Sequence, residues 1–124
     1  MTDHGVFYWN ELMTNDVEGA KAFYAATLGW TYDEFPGANF TYWVCTANGR
    51  HVGGIMPLEG IAPEGVGPHW FSYIAVDDVD ARVKAAGEAG GTVVREPFDV
   101  PQVGRIAIVL DASGAGIGLI TPAS

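Results

Sequence analysis

Hydrophobic and polar positions follow one order twice along this chain. Residues Val6 to Leu12 are rich in β-branched and aromatic side chains, the pattern of a strand, and the polar run Thr14-Asn15-Asp16 ends it. Asp16 is a good helix cap, because a short carboxylate accepts the free amide hydrogens of a first turn. From Val17 to Leu28 the apolar residues Val17, Ala20, Phe23, Tyr24 and Leu28 keep helical spacing. Gly29 then suits the left-handed residue that stops a helix. Three short strand patterns follow at Trp30–Phe35, Phe40–Thr46 and His51–Met56, separated by the turn signals Pro36-Gly37 and Asn48-Gly49.

Leu58 to Pro68 is Gly/Pro-rich and aperiodic, which reads as a linker, and the same order then returns. Trp70–Val76 is strand-like. Asp78 caps a helix carrying Val79, Val83, Ala86 and Ala89, closed by Gly90-Gly91. Strand patterns follow at Thr92–Glu96, Arg105–Leu110 and Gly116–Thr121, with a long loop over Pro97–Gly104 and a turn at Ser113-Gly114. The repeat has a constant spacing: Asp16 to Asp78 and Gly29 to Gly91 are both 62 residues, and Gly49 to Gly114 and Pro57 to Pro122 are both 65. The expected fold is therefore α+β: two βαβββ modules, residues 4–57 and 69–122, joined by a linker at 58–68 within one domain of 1–124. Each module's sheet has an exposed face to cover, so the pair is expected to curl into a cup-like mixed sheet with the helices outside.

Composition narrows the function. Six Lys and Arg stand against fifteen Asp and Glu, a net charge of −9, while 48% of residues are hydrophobic. That excludes disorder, and it argues against nucleic acid and anionic membrane surfaces, which need clustered cations. No run approaches the roughly 20 apolar residues of a membrane-spanning helix. The N-terminus lacks the basic-then-apolar pattern of a secretory signal. Cys45 stands alone, unable to form an internal disulfide or a thiolate zinc site, and reads as a small apolar strand residue. A cytoplasmic protein is expected.

The repeat, with Trp9-Asn10-Glu11-Leu12, the run Asp16 to Gly29, Tyr73 to Asp80 and Asp111 to Ala115, resembles the vicinal oxygen chelate superfamily of glyoxalases, bleomycin resistance proteins and extradiol dioxygenases. The likeness spans about Val6 to Pro122 and rests on the order of weak motifs. It implies a homodimer and a cup in which many members hold a divalent metal as a Lewis acid. The family's ligands lie on the first and last strands of each module, at positions that here read Trp9 and Phe71, then Gly118 and its repeat partner Gly53 at the spacing of 65. Neither rings nor hydrogens offer a lone pair suited to such a metal, so no metal and no cofactor are expected.

Rings on the first strands facing glycines on the last point to an aromatic pocket for a flat organic ligand, the bland alternative being a cup packed by Trp9 and Phe71. Strand alternation adds Phe7 and Glu11 to the face of Trp9, Tyr73 to that of Phe71, and His51 to that of Gly53. Glu11 in an apolar cup would have a raised pKa, suiting a general base or the partner of a cationic ligand; on the rim it would be an ordinary solvated carboxylate. His51 is a second acid–base candidate. Arg95 and Arg105, flanking the long loop, read mainly as solvated or paired. The first reading is thus a metal-independent, drug-sequestering type of binding protein. Its rivals are a lyase, isomerase or dioxygenase using a displaced metal site or Glu11 as base, and a degenerate partner subunit with a packed cup.

Overall fold

A computed structural model describes residues 4–36, 40–59, 65–100 and 103–123. Gly37 of the first turn signal and residues 60–64 of the linker lie outside them. The elements run β1 (Phe7–Thr14), α1 (Val17–Leu28), β2 (Thr31–Pro36), β3 (Thr41–Ala47), β4 (Arg50–Pro57), β5 (His69–Ala75), α2 (Val79–Glu88), β6 (Thr92–Val100), β7 (Gly104–Leu110) and β8 (Gly116–Pro122). This is the βαβββ order twice over, in an α+β fold with mixed sheets.

Local chemistry explains the helix ends. The Asp16 carboxylate accepts from Gly19 N at 2.9 Å, and Gly29 closes α1 at φ 75°, a left-handed conformation that glycine adopts without Cβ strain. Asp78 caps α2 in the same way through the amides of Asp80 and Ala81.

Contacts divide the chain into two compact units, residues 10–71 and residues up to Trp9 together with Ser72 onward, the cuts falling inside β1 and inside β5. In the first unit the strands lie in the order β2-β3-β4-β1, with β1 parallel to β4 and the other pairs antiparallel. Leu12, Cys45 and Ile55 form its core, covered by α1 through Val17, Ala20 and Tyr24. Burial pushes the Cys45 thiol up to about 11, so the unit's cysteine is an inert apolar side chain at neutral pH. Lys21 lies with its ammonium 3.2 Å from the centre of the Trp43 ring, pinning the helix to the sheet.

The second unit has the order β5-β8-β7-β6, with β5 parallel to β8. Val76, Val79, Val83, Ala107 and Val109 make its core under α2. Here the structure corrects the expected loop over Pro97–Gly104: β6 continues to Val100, on the edge of its sheet, with register shifts between Val93 and Arg95 and between Arg95 and Phe98. Proline has no amide hydrogen to give to a ladder, and the irregular edge strand accommodates Pro97 where a regular central strand would not. Arg95 stacks on Phe98 at 3.8 Å, and Arg105 bridges Asp80 and Asp99, so both arginines are engaged within the unit.

These ion pairs set an acid sensitivity. The Arg82 guanidinium holds the Asp77 carboxyl down at about 2, Arg105 lowers Asp80, and the Ser113 hydroxyl and neighbouring amides lower Asp111. A carboxylate with a depressed folded-state pKa stabilises the fold fully above its unfolded value and loses that contribution as pH falls toward the folded one. Stability is therefore expected to decline between about pH 5 and pH 2. Urea midpoints across that range should flatten in an Asp77→Asn, Asp80→Asn double variant; an unchanged slope would refute the assignment.

Candidate functional site

Strand register decides which residues meet. In the first unit Glu11 on β1 stands opposite Gly54 on β4, and Gly54 stands opposite Val44 on β3. In the second unit Tyr73 on β5 stands opposite Gly118 on β8. Because Glu11 and Tyr73 are 62 residues apart, the repeat partner of Gly118 is Gly54, at a spacing of 64. The expected partner, Gly53 at 65, is thus corrected by one residue. Its cause is the irregularity between Cys45 and Thr46: Cys45 pairs with Gly53 and Thr46 with His51, which leaves Val52 as an extra residue between the hairpin turn and the rest of β4. Spacings measured from the turns slip by one beyond it.

The two glycines then face different surroundings. A Cβ on Gly53 would come within 2.9 Å of the Asn10 carbonyl oxygen, with the Trp70 ring 4.0 Å away. Trp70 belongs to an aromatic cluster with Tyr24 and Trp30, and its indole N–H donates to the Tyr24 hydroxyl at 3.2 Å. A Cβ on Gly54 would collide with the Tyr42 hydroxyl instead. That hydroxyl donates to Glu11 Oε1 at 3.0 Å. Tyr42 thus reaches from β3 across the bare backbone of β4 to a carboxylate on β1, and Gly54 is what lets it pass. Glu11 is 7% exposed, the one charged side chain in the core among the described residues.

Gly118 is constrained in a parallel way by other means. Its missing side chain leaves room for the Tyr73 ring, itself 7% exposed. At both last-strand positions the space next to the glycine is filled by a tyrosine of the same unit.

The other expected site residues lie elsewhere. Phe7 is 70% exposed, and Trp9 and Phe71 are half-buried, Phe71 with the His69 ring edge-on. His51 is exposed, its Nε2 3.4 Å from Asp33 Oδ2, and Thr46 donates to the same Asp33 oxygen. A shallow groove of about 300 Å³ runs in the second unit beside α2 and β6, lined by Asp80, Val83, Lys84, Gly87, Val93, Glu96 and Pro97, none of them an expected site residue.

Sequence reasoning missed Tyr42 and Gly54. The one local signal was the Gly53-Gly54 pair inside a strand pattern, which marks a close approach of something to the backbone. What approaches comes from a neighbouring strand, and no local pattern names it.

The fold and these positions together define a two-module chelate-type domain. Residues 5–119 match the Glyoxalase/Bleomycin resistance protein/Dioxygenase superfamily, and the chain belongs to that family. It is 43% identical over 113 residues to a Mycobacterium tuberculosis protein named "Putative glyoxylase CFP32", covering 90% of this chain and 43% of that one. It is 38% identical over 118 residues to the "Anthracycline biosynthesis protein DnrV" of Streptomyces peucetius, covering 90% and 40%. The chain thus spans about two-fifths of the length of these curated relatives. Among solved structures, methylmalonyl-CoA epimerase from Mycobacterium tuberculosis superposes with a TM-score of 0.72 at 19% identity, over 100% of this chain and 93% of that one. The Mn(II)-bound glyoxalase from Novosphingobium aromaticivorans gives 0.66 at 18%, over 98% and 40%. These likenesses establish the fold.

A divalent metal, which many members of the family hold, does not fit the corresponding residues here. Trp9, Gly54, Phe71 and Gly118 supply no oxygen or imidazole lone pair, and Tyr42 and Tyr73 fill the space beside the two glycines. Among the described residues no group of three or more His, Cys, Asp or Glu gathers as a metal site would. Among them, too, no helix is long and apolar enough to cross a membrane.

Proposed function

We propose that this chain binds a small, flat organic ligand without a divalent metal, in the manner of the family's drug-sequestering members. The observation that carries the reading is the residue set at the ligand positions: two rings and two glycines, with a tyrosine packed beside each glycine. Such a set offers stacking surface and no Lewis acid. Two relatives at 38% identity are named for anthracycline biosynthesis, and an anthracycline is a flat fused-ring molecule, which supports the ligand class. Phe7, Trp9, Glu11, Phe71, Tyr73 and Gly118 remain the proposed ligand-binding residues, with His51 beside them, and the register puts Gly54 in the place of Gly53. A homodimer in a reducing cytoplasm is the proposed setting, consistent with the buried, unpaired thiol of Cys45.

Titrating the chain with daunorubicin while following tryptophan emission tests this. Saturable quenching is expected, unchanged after EDTA treatment and reduced at least severalfold in Trp9→Ala. Loss of binding on chelation would contradict a metal-free site.

One observation favours a second reading, a lyase or isomerase. Glu11 is buried and held by a phenol, the setting in which a carboxylate serves as a general base. Turnover of a carbon acid by the native chain, abolished in Glu11→Gln, would favour it over sequestration.

A further inference from the structure

The internal repeat supplies its own control for what the fold requires beside Gly54. Tyr42 lies two residues before Val44, the register partner of Gly54, and Ile106 lies two residues before Ile108, the register partner of Gly118. The first module therefore places Glu11, Tyr42 and Gly54 where the second places Tyr73, Ile106 and Gly118. The second module builds the same strands, with the same glycine, from an aromatic and an aliphatic residue. A carboxylate is not needed to make this part of the sheet.

Keeping one there has to be compensated. A buried carboxylate loses its hydration and must be compensated by hydrogen bonds or a positive charge, and replacing such a group by apolar residues is often neutral or stabilising. Glu11 is 7% exposed and accepts from Tyr42 at 3.0 Å, an arrangement that also demands glycine at position 54. Three strands thus give up apolar packing to hold one carboxyl group in a fixed orientation.

We infer that Glu11, oriented by Tyr42, is the polar anchor of the ligand site, and that the ligand is a flat ring system carrying a cationic amine. This rests on the flat-ligand reading above and adds to it the charge of the ligand and the role of Tyr42 as a positioning residue. An ammonium group donates charge-assisted hydrogen bonds to a carboxylate, and it gains more from them where water is excluded. The chain's net charge of −9 acts in the same direction, by raising the local concentration of cations.

The test uses two probes with the same ring system, daunorubicin with its free sugar amine and its N-acetylated, neutral form. The native chain is expected to bind the amine form about tenfold more tightly, the worth of one hydrogen bond to a charged group. Glu11→Gln should erase that preference, and Tyr42→Phe should reduce it severalfold. Because Tyr42→Phe keeps the ring that packs beside Gly54, it carries the test if the Gln variant fails to fold. Equal affinity of the native chain for both probes, or a preference that survives in both variants, overturns the anchor and leaves the flat-ligand reading standing. Binding of neither probe overturns both.

Discussion

Alanine at Gly118 is expected to destabilise the chain by about 3 kcal/mol, the upper end of what an overpacked core position costs. Gly118 is buried on β8, and its added methyl would enter the Tyr73 ring from β5. Tyr73 is 7% exposed, so its ring has no solvent space to swing into. The strain should be specific to that pair. Removing the ring with Tyr73→Ala opens the space, and the double variant should be more stable than the sum of the two losses implies, by about 1–3 kcal/mol of coupling. Urea unfolding of the two single variants and the double variant measures it. Strict additivity would show that the ring does not occupy the position. The result bears on the proposed site, because any larger side chain at 118 would meet the same obstruction.

Ile55→Ala is the second large effect, with an expected loss of about 3–4 kcal/mol, in the range measured for Ile and Leu truncations in cores. Ile55 is fully buried on β4, among Leu12 and Cys45, with rings such as Trp43 closing over them. Neighbours on three strands and α1 are held by their own backbones, so little of the cavity can collapse. Phe7→Ala is the matching control: at 70% exposure it should change the urea midpoint by little. A loss at Ile55 no larger than that at Phe7 would mean that the first unit's core lies elsewhere. Ile55 directly follows Gly54, so the same variant should also loosen the Glu11–Tyr42 pair and weaken daunorubicin binding.

Much of this was legible in the residues. Asp16 and Asp78 cap their helices through amides two or three residues away, and Gly29 stops α1 through its own backbone conformation. Those interactions are local, so the types of a few neighbouring residues determine them. The two-module order followed from the same local signals repeated, and the family membership followed from their order. The strand at Pro97 was not legible. Proline reads as a stop unless the strand is known to be an edge with irregular register, and edge position is a property of the sheet.

The candidate site was legible in part. Glu11 stood out as a carboxylate within an apolar strand pattern, but its burial and its phenol partner did not. Tyr42 is 31 residues away in sequence and one strand beyond the register partner of Glu11. The choice between Gly53 and Gly54 turned on a single extra residue, Val52. A shift of one residue in a strand sends every side chain to the opposite face, so counting from turns could not settle it.

By itself, then, the sequence determined the elements, their caps, the repeat and the family it resembles. The elements and caps depend on neighbours within one helical turn, and the rest on composition or on a regular spacing read along the chain. The tertiary structure alone decided which glycine faces which tyrosine, that Glu11 is buried, and that β6 runs on to Val100. Those depend on register between strands far apart in sequence, where a bulge worth one residue outweighs any local propensity.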